Sequence, residues 1–158
     1  MTTNDDQCEQ NAKQVLSALP ATLGFQLERI SSGLYELHSE NCIVRLAFQR
    51  FEPSRCNTEF VNPNYPSNVM AYWVLRHLRC VPVTEDEKSS FAVFGQKLAH
   101  NFSDVLSGDF AIQASYDELN ERIMDRVFEV RALPSHHPTR IRFENHDLQW
   151  LFDLEESD

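Results

Sequence analysis

The chain has 158 residues, of which 42% are apolar and 11% aromatic, and its formal charge is −10. That length and composition are typical of a single folded domain with its own core, so residues 1–158 are taken as one domain. No stretch approaches the roughly 18–20 consecutive apolar residues of a membrane-spanning helix, and no membrane partner is expected. Because 24 acidic residues outnumber 14 Lys and Arg, the charge disfavours nucleic acid as a partner and favours a basic protein.

The N-terminus and the cysteines indicate the compartment. The first ten residues are polar and acidic, unlike a signal peptide or an Arg-rich transit peptide, so we expect a cytoplasmic protein. The cysteines form no C-x-x-C pair, and their spacing matches no common zinc site. In a reducing compartment, four free thiols without a metal are expected: Cys8, Cys42, Cys56 and Cys80.

Two periodicities divide the first half of the chain. Apolar residues at i, i+3, i+4 and i+7 predict a helix over residues 5–19, which Pro20 ends. From residue 24 the period changes to two, which predicts strands at 25–30, 34–38, 42–48 and 58–61. Because short turns join these strands, an antiparallel meander with one face on the core is expected.

The second half of the chain is predicted to be mostly helical. Helical spacing predicts a helix over 69–78, and capping boxes at 84–87 and 115–118 predict two further helix starts. Residues 127–133 and 140–143 fit either two short strands or a helix followed by a loop. The expected fold is therefore α+β, with an antiparallel sheet of three to five strands packed by an N-terminal helix and several C-terminal helices.

Histidines near the C-terminus are the candidates for chemistry. His136 and His137 lie between two prolines, and His146 with Asp147 follows about ten residues later. Such a set could serve a metal ion or an acid–base pair, but the H-E-x-x-H spacing of a helical metal site is absent. A surface loop is the simpler interpretation, so no catalytic or metal-binding residue is predicted. The sequence also lacks G-x-G-x-x-G, P-loop and G-x-S-x-G motifs, and no cofactor is expected.

The acidic C-terminal segment is the candidate interface. Residues 144–158 contain six acidic residues and no Lys or Arg, interspersed with apolar residues, which predicts a short docked helix followed by an acidic end. Acidic groups speed encounter with a basic partner, and aromatic side chains anchor interfaces. Trp150 fits an anchor and a core position equally well. The residues expected to contact a partner are Glu144, Asp147, Trp150, Asp153, Glu155 and Glu156.

Arginines near the third predicted strand are expected to stay within the molecule. Arg45, Arg50 and Arg55 are placed to line one side of the sheet and its exit loop. Because Arg suits bidentate pairing with carboxylates, ion pairs with the acidic excess are the simplest account of these residues.

The order of elements and one short motif carry a resemblance. A helix ending at Leu19-Pro20 leads into the meander, and a later helix runs into an L-x-G-D-F stretch at Leu106, Gly108, Asp109 and Phe110. In these features residues 10–125 resemble a group of small bacterial cytosolic proteins, some of them similar to immunity proteins of polymorphic or contact-dependent toxin systems. The resemblance implies a non-catalytic binding protein and identifies neither its partner nor a contact residue.

The favoured function is therefore a non-catalytic protein-binding protein, an immunity-type inhibitor that neutralises a basic bacterial toxin. Such an inhibitor needs a rigid scaffold, an acidic patch and a few aromatic anchors. Two alternatives stay open: a small hydrolase that depends on histidine or a metal, and a structural subunit of a homo-oligomer.

Overall fold

The computed structural model describes residues 3–49 and 52–158. Within these ranges five strands are formed: β1 Gln26–Ser31, β2 Leu34–His38, β3 Ile43–Gln49, β4 Glu52–Asn62 and β5 Tyr65–Ala71. The α-helices in the same ranges are α1 Asn4–Ala18, α2 Tyr72–Leu78, α3 Glu85–Ser89, α4 Phe91–Asn101, α5 Ser103–Leu106, α6 Gln113–Arg131, α7 Pro138–Glu144 and α8 Gln149–Glu156. The predicted α+β fold is confirmed.

The sheet is a meander in which each strand pairs with its sequence neighbours, in the order β1-β2-β3-β4-β5. All four pairings are antiparallel, and Leu37 lies opposite Val44, which in turn lies opposite Phe60. All three side chains are fully buried, because alternate residues of neighbouring strands point to the same face. The predicted meander with one face on the core is thus confirmed.

Helices α1 and α4 pack together at close range beneath this sheet. A Cβ atom at Gly95 would lie 2.8 Å from both the Val15 carbonyl oxygen and the Ala18 Cβ. A side chain at this position would force the two helices apart, so glycine permits their close contact. Helix α1 thereby buries Ala12 and Val15 in the core.

The predicted helix over 69–78 is wrong at its start. Val69 and Met70 belong to strand β5, where Met70 lies opposite Phe60, and the helix begins only at Tyr72. The turn between Asn62 and Tyr65 closes a β4–β5 hairpin, and strand pairing there prevails over the local helical spacing. Strand β4 is correspondingly longer than the four residues predicted for it.

One of the two predicted capping boxes forms. The Thr84 hydroxyl and the Glu87 carboxylate make the reciprocal bonds of a box at the start of α3, and Ser90 then caps α4 separately. The box at Ser115 does not form, because α6 begins two residues earlier at Gln113.

The regular elements of the C-terminal third are the helices α6, α7 and α8. Helix α6 continues to Arg131, so of the two alternatives left open for residues 127–133 and 140–143 the two short strands are wrong and the helical continuation is right. The following segment is helix α7 rather than a loop, because His137 Nδ1 accepts a bond from the Thr139 amide (3.1 Å) and Pro138 starts the helix. The predicted docked helix near the C-terminus is confirmed as α8. None of the helices in the described ranges is long and apolar enough to span a bilayer.

On the face of the sheet opposite the core, charged side chains of four strands, β1 to β4, form a network of hydrogen bonds and ion pairs. The Glu36 carboxylate accepts bonds from Arg45 Nε (2.9 Å) and His38 Nε2 (2.9 Å), and Glu28 lies 3.1 Å from the same His38 atom. Arg45 also lies 3.7 Å from Glu59. The expected internal pairing is therefore confirmed for Arg45.

The other two arginines expected along this side of the sheet are Arg55 and Arg50. Arg55 pairs with Glu52 at 3.1 Å, as the charge pattern predicts. Arg50 lies outside the described residues.

Candidate protein-binding surface

The carboxylates of the C-terminal segment are largely engaged within the molecule. Glu155 binds Arg122 through two bonds, of 3.0 and 2.5 Å. Two further pairs join the segment to neighbouring helices, Asp153 with Arg142 of α7 and Asp158 with Arg126 of α6. Glu144 pairs with Arg140 one turn earlier on α7 itself (2.7 Å). These guanidinium groups hold the pKa values of Glu155 and Asp158 below their ordinary values, so both acids stay charged but are locally neutralised.

Trp150 corrects the expectation that its ring could anchor a partner. Its side chain is 0% exposed and meets the Phe143 ring edge-to-face, with centroids 5.4 Å apart. Helical spacing places it on the inner side of α8 with Leu151 and Leu154. Trp150 is therefore a core residue that fixes α8 to the rest of the domain.

The remaining predicted contact residues lie on the surface. Glu156 and Asp147 are exposed, and Asp147 accepts a bond from the Gln149 amide (3.1 Å) as α8 begins. Glu144 is exposed beside Arg140. The segment is thus an acidic surface over a structural helix, with most of its charge opposed by arginines.

The candidate histidines are not assembled into one site. His137 caps α7, and His136 is exposed in the preceding turn. His146 stacks on Trp73, with ring centroids 4.9 Å apart, and its backbone carbonyl lies 3.1 Å from Nε2 of His77. The sequence pattern did not indicate His77, because only packing of α2 against the α7–α8 turn brings it there.

The surroundings of this histidine pair disfavour the charged form. Partial loss of solvent around the rings lowers the pKa values of His77 and His146, and the nearby Arg76 guanidinium lowers both further. Both rings are therefore mainly neutral at pH 7. Among residues 3–49 and 52–158, no group of three or more His, Cys, Asp or Glu is arranged to hold a metal ion.

The outer side of α6 carries acids of a different kind. Glu118, Glu121 and Asp125 are exposed and follow one line along the helix at i, i+3 and i+7. Within the part of the chain that the structure describes, they make no hydrogen bond or ion pair, although Glu118 interacts electrostatically with Arg122. These three residues are called the acidic ridge below.

Two large apolar side chains lie beside the acidic ridge. Phe128 is 83% exposed and Met124 is 59% exposed, and their i, i+4 spacing places them together on the helix surface. Single exposed hydrophobic residues are common, whereas an adjacent pair flanked by acids is a feature of interaction surfaces. We call Met124 and Phe128 the apolar pair.

The helix that presents this surface is firmly held. Its inner side is buried at five positions, Tyr116, Leu119, Ile123, Val127 and Val130. The Tyr116 hydroxyl accepts a bond from the Ala71 amide of β5 (3.0 Å), and two arginines of α6 bind acids at the C-terminus. The acidic ridge and the apolar pair are therefore displayed on a fixed scaffold.

Comparison with protein-family models, with curated proteins and with solved structures found no match to this chain. The geometry of the α6 surface consequently carries the functional argument. Sequence reasoning missed this surface because it followed the buried positions of α6 and not the opposite side. The spacing of Met124 and Phe128, out of phase with Leu119 and Ile123, was the available signal.

Proposed function

We propose that this chain is a protein-binding protein of a bacterial cytoplasm, an immunity-type inhibitor that binds a basic toxin through the outer surface of α6. The observation that carries the proposal is the exposed apolar pair of Met124 and Phe128 beside three carboxylates that form no ion pair with any residue in the described ranges. The resemblance over residues 10–125 supports the same class of function.

The two parts of the surface have separate roles in this proposal. The acidic ridge attracts a cationic partner and speeds encounter, since unpaired exposed charges contribute fully to the potential outside the protein. The apolar pair supplies the area that leaves water when the complex forms. Aromatic side chains are frequent among the residues that carry most of the binding energy.

Charge also indicates the kind of partner. A second copy of this chain would bring one acidic ridge against another, which like-charge repulsion opposes. The formal charge of −10 has the same consequence for the whole surface. A basic toxin domain, such as a nuclease whose active site attracts phosphate, has the complementary charge.

Growth rescue tests the proposal directly. The chain is co-produced in bacteria with each toxic basic protein encoded beside its gene, and growth is measured. We expect the wild-type chain to restore growth. The dissociation constant of the complex with the rescued toxin should be at least about 30-fold higher for the Met124→Ala/Phe128→Ala double variant. The matched control is Ile141→Ala, which removes another exposed apolar side chain, on α7.

Two outcomes would contradict the proposal. One is that the wild-type chain rescues growth from none of these proteins. The other is that the double variant and the Ile141→Ala control bind the rescued toxin equally well.

A further inference from the structure

A groove lies on the opposite side of the acidic ridge from the apolar pair. Helices α2, α6 and α8 enclose it, and its volume is about 360 Å³. The groove is lined by apolar side chains from all three regions, namely Leu78, Leu119, Leu148 and Phe152. A space of this size holds one large side chain, with part of it left open to solvent.

One carboxylate belongs to both the acidic ridge and the groove. Glu118 lines the groove, and it makes no ion pair within the described residues. Ser115 lies one helical turn before it on the same wall. An occupant of the groove therefore meets a free negative charge at the edge.

Arg122, which also lines the groove, does not cancel this charge. Arg122 donates two bonds to the Glu155 carboxylate, and its guanidinium lies over the Phe152 ring, 5.7 Å from the centroid. The guanidinium is thus already paired with a carboxylate. The groove has an apolar floor and an excess of negative charge at its rim.

We propose that this groove receives an apolar side chain of the basic partner, with a neighbouring lysine or arginine of that partner bound to Glu118. The inference rests on the proposed function and specifies how the partner is recognised. The acidic ridge then lies between two apolar contacts, the groove on one side and the apolar pair on the other. Such an arrangement selects partners in which apolar and cationic residues alternate, and a cationic surface alone is insufficient.

The probes are two blocked pentapeptides with two lysines on each side of a central residue, phenylalanine in one and alanine in the other. Binding to the ¹⁵N-labelled full chain is followed by NMR. We expect the phenylalanine peptide to bind about tenfold more tightly, since its ring leaves water in the groove. It should also shift the amide signals of Leu119, Leu148 and Phe152.

Two substitutions test whether the tighter binding of the phenylalanine peptide depends on the groove. Ser115→Trp fills the groove, and we expect it to abolish the preference for phenylalanine. Its matched control is Ser89→Trp, an exposed position on α3, which should leave the preference unchanged. Phe152→Ala removes part of the groove floor and serves as a second test. We expect this variant to lose most of the preference for the phenylalanine peptide over the alanine peptide.

Each remaining outcome overturns the inference. Equal binding of the two peptides, with shifts confined to residues 118–128, shows an electrostatic surface without a pocket and leaves the proposed function intact. Equal binding of blocked phenylalanine without lysines shows that the cation is not recognised. If neither peptide binds, the groove is not an anchor site, whereas the proposed function fails only if growth rescue fails.

Discussion

The acids of the C-terminal segment and the acids of α6 have similar formal charge but different surroundings. Glu155 and its neighbours are opposed by arginines from α6 and α7, whereas Glu121 and Asp125 have no such partner in the described ranges. The aromatic residues follow the same division, because Trp150 is buried and Phe128 is exposed. A run of acidic residues in the sequence therefore indicates a surface that can attract a partner only where no arginine packs against those residues.

The largest expected effect contrasts these two aromatic residues. Trp150→Ala should lower the free energy of unfolding by about 3–5 kcal/mol, since it removes a fully buried ring and leaves a cavity. Phe128→Ala should change it by less than about 0.5 kcal/mol, because little of that ring is buried. Urea unfolding of both variants measures the contrast. Equal losses would mean that Phe128 is covered in solution.

A smaller effect is expected from the Arg122–Glu155 pair. Both side chains are partly exposed, so their coupling free energy should be about 0.5–1 kcal/mol. A double-mutant cycle with Arg122→Ala and Glu155→Gln measures this coupling free energy. The coupling should be smaller in 1 M salt, where the Debye length is only about 3 Å. A coupling of zero at low salt would show that the C-terminal charge is not opposed as the structure indicates.

The smallest expected effect concerns His77 and His146, which join α2 to the turn before α8. Their folded-state pKa values are lowered, so the unfolded chain binds more protons as the pH falls through the ordinary histidine value of about 6.5. The free energy of unfolding should therefore decrease from pH 7.5 to pH 5.5. It should level off once the pH is below the folded-state values.

Variants separate this contribution from that of other groups. The His77→Gln/His146→Asn double variant should lose less stability over the same pH range, and asparagine suits the positive φ of 55° at residue 146. The control is His136→Gln in the exposed turn. An identical decrease in the double variant and the control would contradict the assignment.

Local patterns predicted the parts of the fold that local physics determines. The helix ended by Pro20, the strands of the meander and the Thr84 capping box all follow from periodicity or capping within a few residues. Strand β5 did not, because its pairing with β4 competes with a helical spacing that includes Met70. The start of α6 was also missed, since the helix begins at Gln113, ahead of the capping box that the sequence indicated at Ser115.

The candidate surface was less predictable than the fold. The excess of acid was evident from composition, but which acids are free depends on arginines such as Arg122 and Arg142, whose positions follow from helix packing. The role of Trp150 was likewise open until its burial was known. Contacts between distant segments therefore decide where on this protein a partner is expected to bind.

The most direct measurement compares two variants that each remove three negative charges. One neutralises the acidic ridge (Glu118→Gln/Glu121→Gln/Asp125→Asn), and the other neutralises three acids of the C-terminal segment that are paired with arginines (Glu144→Gln/Asp153→Asn/Glu155→Gln). The rate of association with the toxin identified by growth rescue is measured at several salt concentrations. We predict that the ridge variant associates about tenfold more slowly at low salt with a flattened salt dependence, and that the C-terminal variant changes far less. Equal slowing, or a larger effect of the C-terminal variant, would contradict the account.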